Sequence, residues 1–302
     1  MSKLIARIGV PALAVLALAG CGSSSSSSTT TGTTATSSST SNTANAAVVA
    51  LVPAAIKSKG TLTVAADATY APNEFIAEDG HTVIGMDPDL MKALGEVMGL
   101  KVNVVNATFD TIIPGLAAGK YDVGASSFTD TKERQKTVDF VTYFTAGVSF
   151  YGKTSGAPNI KSIEELCGKT VSVEKGTTEE EEAKAQSEKC TKAGKKSVTV
   201  LVFPDQNGAN LAITSGRAEL GMADSPVAAY AVKQSNGTLK LIGSTYGSAP
   251  YGIALPKGDG MTVPIQSALK VLISNGTYMK ILEKWGIQAG AITNPEINGA
   301  KS

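Results

Sequence analysis

The feature that most constrains this chain is an internal echo. "LAAGKYDVGASS" (Leu116 to Ser127) and "ITSGRAELGMAD" (Ile213 to Asp224) match at a constant offset. Gly119 stands against Gly216, Lys120 against Arg217, Asp122 against Glu219 and Gly124 against Gly221. Each copy reads as a helix end, a glycine stop, a basic residue and a strand. "KGTLTV" (Lys59 to Val64) and "CGKTVSV" (Cys167 to Val173) read as the first strand of each copy. Two similar α/β lobes in one chain is the simplest reading; the alternative is βα grammar shared by convergence.

The segments around the echo alternate strand and helix. Thr61 to Ala66, Lys101 to Ala107 and Tyr121 to Ser126 read as strands, and Phe109 to Ala118 as a short helix. Another helix opens at Asp87-Pro88, with Asp87 as its cap, carries Leu90, Leu94, Val97 and Met98 at helical spacing, and stops at Gly99. Such alternation predicts βαβ units and a mainly parallel sheet. Ser127 and Asp224, the last residues of the two echoes, then fall just past the C-terminal ends of parallel strands. Ligands of open α/β sheets bind in the crevice outside those ends. Two facing lobes would set Ser127 and Asp224 on opposite walls of one cleft.

"SSFTDTKERQKTVDF" (Ser126 to Phe140) follows the first echo. Asp130 suits the cap of a helix starting at Thr131, with Glu133 as its reciprocal partner. Ser127, Thr129 and free backbone N–H groups there offer neutral donors to an anion, and Arg134 adds a fork that grips a carboxylate in two bonds. The competing reading is a surface arginine paired with Glu133 or Asp130. Asp224 on the facing wall suits an ammonium, or caps the segment beginning Ser225-Pro226, or does both. A carboxylate clamp opposite an ammonium acceptor describes an α-amino acid. "EKGTTEEEEAK" (Glu174 to Lys184) adds Gly176, Thr177 and Thr178 at a second strand-to-helix turn, and the run Glu179 to Glu182 reads as a solvated helix N-terminus.

The ends of the chain set the compartment. Lys3 and Arg7 precede an apolar run from Ile8 to Gly20. As a helix that run reaches only ~20 Å, short of a ~30 Å hydrocarbon core, so residues 1–20 read as a signal peptide and not a span. Leu18-Ala19-Gly20-Cys21 matches the bacterial lipoprotein signal, with Cys21 as the lipidated residue. Residues 21–47, rich in Ser and Thr, read as a flexible tether. The folded part is thus expected on the extracytoplasmic face of the bacterial cell membrane, held through Cys21.

With 27 Lys and Arg against 26 Asp and Glu, and no basic stripe interleaved with aromatics, nucleic acid is not an expected partner. Cys167 and Cys190 are the remaining cysteines, and in an oxidising compartment a disulfide is their default. A metal site would need further ligands, and the single histidine, His81, lies far off in a hairpin-like "EDGHTV". No metal and no cofactor are expected.

"ADATYAPNEF", "GMDPDLMKALGEVMGL", "TFDTIIPGLAAGKYDVGASSFTDTKERQKTVDF", "EKGTT", "GMADSP" and "NGTYMKILEKWG" together resemble the extracellular solute-binding protein family 3, the amino-acid receptors of ABC importers. The resemblance runs from about Gly60 to Ile287. It implies a two-lobe, type II periplasmic-binding-protein-like α/β fold joined by two hinge strands. Lobe 1 would comprise 48–151 and 253–302, and lobe 2 residues 152–252. It further implies that Arg134 and Thr129 hold a ligand carboxylate with the backbone near Ser127 and Thr177. Asp224, helped by Ser127, takes the ammonium, and Tyr70 and Phe109 form aromatic walls, where the alternative is core packing.

Asp67 would meet a polar or cationic ligand end, or be a turn residue. Asn73 stands where an aromatic is common, which would leave the pocket mouth more polar. Glu174, at a variable position, would add a second negative charge beside Asp67. Two carboxylates favour a basic side chain over a neutral polar one such as glutamine by a narrow margin. The expected protein is a monomer that binds a free amino acid and hands it to a membrane permease. Two alternatives stand beside it. One is an enzyme resembling cyclohexadienyl dehydratases, with Glu174 or Glu179 as the acid. The other is a sensory amino-acid receptor.

Overall fold

Short apolar strands from both halves of the chain join into one sheet in the computed structural model, which describes residues 43–300. The signal peptide, Cys21 and most of the tether lie outside the described residues. The strands are β1 (Thr61–Ala66), β2 (Thr69–Tyr70), β3 (Glu74–Ile76), β4 (Val83–Ile84), β5 (Lys101–Asn106) and β6 (Val123–Gly124). They continue with β7 (Val138–Lys153), β8 (Thr170–Glu174), β9 (Thr199–Phe203), β10 (Leu220–Asp224) and β11 (Leu239–Pro256). The helices are α1 (Ala46–Leu51), α2 (Ala54–Lys59), α3 (Met86–Met98), α4 (Phe109–Ala117) and α5 (Thr178–Lys192). After these come α6 (Gln206–Thr214), α7 (Ser225–Gln234), α8 (Thr262–Ser274) and α9 (Thr277–Trp285).

The sheet order is β5-β1-β6-β11-β7-β10-β8-β9, with β2, β3 and β4 forming a small separate sheet. The outer trios β5-β1-β6 and β10-β8-β9 are parallel, as the βαβ reading requires. The two long strands between them pair antiparallel and belong to both lobes. On β7, Val141, Tyr143 and Phe144 enter the first core with Leu62, Val64, Leu90 and Ile253. Further along, Val148 and Phe150 enter the second with Leu166, Val171, Val173 and Leu220. From Ala146 to Phe150 the β7–β11 register shifts at Ile242/Tyr246 and Tyr246/Ala249, with a further shift at Tyr251/Gly252. Irregular pairing weakens the ladder there and makes it the natural place to bend.

Several local expectations are corrected. Helix α3 is capped by Gly85, not Asp87. The Gly85 φ is 135°, and a Cβ there would sit 2.2 Å from the Asn73 carbonyl oxygen, so the chain can pass only as glycine. Asp87 lies inside the first turn, buried. No α-helix starts at Thr131; Arg134–Lys136 forms one 3-10 turn. Asp130 instead accepts from the Gln135 side chain at 2.7 Å and from the Ala300 N–H at 3.1 Å, pinning the C-terminal segment. The strand expected from Tyr121 to Ser126 shrinks to Val123–Gly124.

Order also begins earlier than the tether reading allowed. The Asn45 carboxamide accepts from the Ala47 and Val48 N–H groups, and the Asn45 N–H donates to the Val97 carbonyl. Val48 and Val52 then anchor α1 in the first core, enough apolar burial to fix a helix that composition alone leaves loose. Cys167 and Cys190 are bonded, tying the segment before β8 to α5. His81 is exposed in the β3–β4 turn, with its ring beside the Asp79 carbonyl. Among the described residues no helix is long and apolar enough to cross a membrane.

Candidate functional site

The C-terminal ends of β1, β6, β8 and β10 converge between the lobes on a narrow, largely closed cavity. The first lobe lines it with Asp67, Tyr70, Phe109, Ser127, Thr129 and Arg134, the second with Glu174, Thr177, Thr178, Glu179 and Asp224. The nine cleft residues singled out from the sequence are therefore brought together. Thr178, read as a donor at the same turn, and Glu179, read as a solvated helix residue or an enzyme's acid, line it as well.

Arg134 leaves its 3-10 turn and crosses the cleft. Its Nη1 donates to the Thr129 carbonyl and its Nη2 to the Gly176 carbonyl of the other lobe, both at 2.9 Å. The guanidinium carbon lies 5.5 Å from the Phe109 ring centre and 5.6 Å from that of Phe128, rings that stack on each other at 4.6 Å. Carbonyls and aromatic faces hold the plane without neutralising it. The surface-pair alternative fails, because Glu133 pairs with Lys136 and Asp130 with Gln135. Burial pulls the guanidinium pKa down, and Glu181, Glu179 and Asp224 oppose it.

On the far wall, Asp224 stands at the N-cap position of α7 without a side-chain capping bond. Its Oδ2 instead accepts from the Tyr70 hydroxyl at 2.9 Å, and its own N–H donates to that same hydroxyl at 3.1 Å. Tyr70 is thus a polar strut between lobes as well as a wall. Other contacts cross the cleft nearby. Gln206 N–H donates to Thr69 Oγ1 at 3.1 Å, and Lys175 pairs with Asp110 at 2.8 Å. Gly176 has φ 80°, and a Cβ on it would lie 2.9 Å from Asp110 Cβ, so the closed approach depends on glycine.

The cavity's acids form two groups. Asp67 and Glu174 share one end. Asp67 Oδ1 accepts from the Thr69 hydroxyl at 2.7 Å and Oδ2 from the Phe109 N–H at 2.9 Å. Burial nevertheless raises its pKa, against those bonds and with Asp205 adding to the rise. Glu174 is raised well above the usual carboxylate value, by burial first and then by Asp67 and Glu179. Its Oε1 is buried and makes no hydrogen bond. Asp224 and Glu179 form the other group. Burial raises Asp224 to about 6, restrained by the neighbouring Tyr251 hydroxyl, by the bond from Tyr70 and by the Arg134 charge. Burial and then the Asp224 charge raise Glu179 to about 8, and its Oε1 too is buried and unbonded. Four carboxyls thus face one guanidinium, in a site that a cationic guest would complete electrostatically.

Two residues depart from the sequence reading. Asn73 is fully buried and away from the cavity, donating from Nδ2 to Ser127 Oγ at 2.9 Å, so it does not make the pocket mouth polar. Glu179 is 2% exposed and not part of a solvated helix start. Thr177 caps α5, its Oγ1 accepting from the Glu180 N–H at 3.2 Å and donating to the Glu174 carbonyl at 2.7 Å. That cap turns the first helical residues into the crevice. The signal was in the spacing: Glu179, Ala183, Gln186 and Cys190 make one buried stripe of α5. Among the described residues, no group of three or more His, Cys, Asp or Glu is placed to hold a metal ion.

The bacterial extracellular solute-binding proteins, family 3, match over residues 62–288. The arginine-binding protein ArgT of Corynebacterium glutamicum is 36% identical over 252 residues, 83% of this chain and 82% of that protein. An ancestral arginine-binding protein solved with arginine is 40% identical with a TM-score of 0.69, covering 75% of this chain and 98% of that one. The ancestral arginine-binding protein bound to glutamine gives the same identity and TM-score over 76% and 98%. An ancestral amino acid-binding protein described as a precursor of cyclohexadienyl dehydratase is 38% identical, with a TM-score of 0.69 over 76% and 97%.

Proposed function

Since the chain belongs to the bacterial extracellular solute-binding proteins, family 3, we propose that it captures an L-amino acid with a cationic side chain, arginine foremost. The observation that carries this reading is the charge balance of the cleft: Asp67, Glu174, Glu179 and Asp224 against Arg134 alone. An α-amino acid with a basic side chain brings two positive groups and one carboxylate. Its carboxylate would meet Arg134, Thr129 and the backbone beside Ser127 and Thr177. Its ammonium would go to Asp224 and Glu179, and its side-chain cation to Asp67 and Glu174. Phe109 and Tyr70 would flank the aliphatic stem.

In this reading no bond is made or broken. Lobe 1, residues 48–151 and 253–302, and lobe 2, residues 152–252, close about β7 and β11, because ligand contacts from both walls favour the closed state. The loaded monomer then presents itself to an ABC permease, held at the outer face of the membrane through a lipid on Cys21. A neutral amide such as glutamine is the second reading. It is favoured by one feature, the raised pKa of Glu174, since a protonated carboxyl can donate to an amide oxygen.

The test is thermal unfolding of the soluble chain from residue 43 onward, freed of co-purified ligand and screened against the twenty amino acids. A ligand at 100 times its Kd adds about 2.7 kcal/mol of stability. Arginine, with lysine and ornithine behind it, should give the largest shift. A larger shift with glutamine would replace the basic reading by the neutral one, and no shift with any amino acid would end both.

A further inference from the structure

Behind the cavity wall lies a second pair of buried carboxyls, which ligand contact does not account for. Glu74 on β3 and Asp87 on α3 are 0% and 1% exposed, and neither lines the cleft or forms an ion pair. Both converge on Ser127, a cleft residue held at φ 51°, where a non-glycine side chain is strained. Asp87 Oδ2 accepts from the Ser127 N–H at 2.7 Å. Ser127 Oγ lies 3.3 Å from Glu74 Oε2 and 3.3 Å from Asp87 Oδ2. That hydroxyl already accepts from Asn73 Nδ2 and has a single proton to give, so it can satisfy only one of the two carboxyls. Glu74 Oε1 takes the Ser126 hydroxyl at 3.0 Å, and Ser126 Oγ in turn accepts from the Asp67 N–H at 2.9 Å.

Among the described residues, the groups that act on the pair supply no positive charge. They are Asp67 at the end of β1, the Tyr143 phenol on β7, and the serine hydroxyls. Two carboxylates meeting on one oxygen in a dry interior cannot both stay ionised.

We infer that Glu74 carries a proton at neutral pH and, with ionised Asp87, forms a proton-sharing clamp that fixes the strained Ser127 turn on the ligand cavity. The clamp makes Glu74 and Asp87 positioning residues: they never touch the amino acid, but they set where Ser127 and, through Ser126, Asp67 stand. This role rests on the amino-acid reading of the cavity; the shared proton does not. Burial and then the Asp87 charge push the Glu74 pKa well up, in the direction the geometry requires. A pKa raised on folding gives stability that is whole below the ordinary carboxyl range and is lost as pH rises through the raised value.

Two arms test the inference. In the first, infrared spectra of the folded protein and of Glu74→Gln are compared at about pH 7, where the difference between them isolates Glu74 from the other buried carboxyls. The parent should keep a protonated-carboxyl band that Glu74→Gln lacks, and its unfolding midpoint should fall with rising pH more steeply than that of the variant. In the second, Glu74→Ala should weaken arginine binding by at least about tenfold, because buried hydroxyls lose their partner. Glu74→Gln, which keeps a donor in place of the acid proton, should restore affinity to within about threefold of the parent.

Identical infrared bands in parent and variant would overturn the proton assignment. Glutamine failing like alanine would overturn the shared proton, since charge would then be what the turn needs, and Glu74→Ala binding arginine as the parent does would overturn the positioning role. Absence of arginine binding in the parent would count against the amino-acid reading, while the infrared arm still decides the proton.

Discussion

Replacing Glu174 by glutamine should separate arginine from glutamine in a pH-dependent way. Glu174 is 2% exposed and its pKa is driven well above the carboxylate norm, by burial first and by Asp67 and Glu179 next. Burial and its acidic neighbours therefore favour the protonated form of Glu174 in the ligand-free protein. A guanidinium placed beside it favours the ionised form, so arginine binding expels a proton that glutamine binding does not. The sign follows: affinity for arginine, relative to glutamine, rises with pH until Glu174 ionises unaided.

One pKa unit is about 1.4 kcal/mol, so the ratio of the two affinities should climb by up to about tenfold per pH unit. Effects at Asp224 and Glu179 are common to both ligands and cancel in the ratio. In Glu174→Gln most of that slope should vanish. Arginine affinity should also drop by about 2 kcal/mol or more, the scale of removing one partner from a buried charge pair. Calorimetric titration in two buffers of unlike ionisation enthalpy counts the protons directly. A ratio that is flat with pH, or a variant that keeps the parent's slope, would refute the placement of the side-chain cation at Glu174.

Further outcomes are expected elsewhere. Arg134→Lys should weaken every α-amino acid alike, by about 2 kcal/mol or more in calorimetry, because an ammonium can hold neither the carboxylate fork nor the carbonyls of Thr129 and Gly176 together. Tyr70→Phe removes the hydroxyl that bridges to Asp224. It should loosen closure by about 1 kcal/mol, seen as a weaker affinity and a larger radius by X-ray scattering with ligand present. Replacing Cys167 and Cys190 by serine opens a loop across 23 positions and should lower unfolding stability by about 3 kcal/mol in denaturant titration, with ligand preference unchanged.

The sequence carried the fold where apolar period and glycine stops agree, as in the two echoes that become β6 and β10 with the turns before them. It carried the cleft because residues just past parallel strands are bound to meet there. What stayed hidden depends on partners remote in the chain. Asp87 looks like a helix cap, but its carboxylate is committed to Ser127, forty positions on. Thr131 onward looks like a helix start, yet "TKERQK" offers no apolar stripe to bury, and only a 3-10 turn forms. Asn73 looks like a pocket-mouth residue until its amide is found on Ser127. Glu179 was disguised by company, one buried acid in a run of four, although the stripe it shares with Ala183 and Gln186 gave it away.

The most direct measurement is a crystal structure of the chain grown with arginine. The account predicts the α-carboxylate on Arg134, the ammonium on Asp224 and the guanidinium within hydrogen-bond reach of both Asp67 and Glu174. A guanidinium directed away from that pair, or an occupied cleft in which Arg134 still holds only the Thr129 and Gly176 carbonyls, would contradict it.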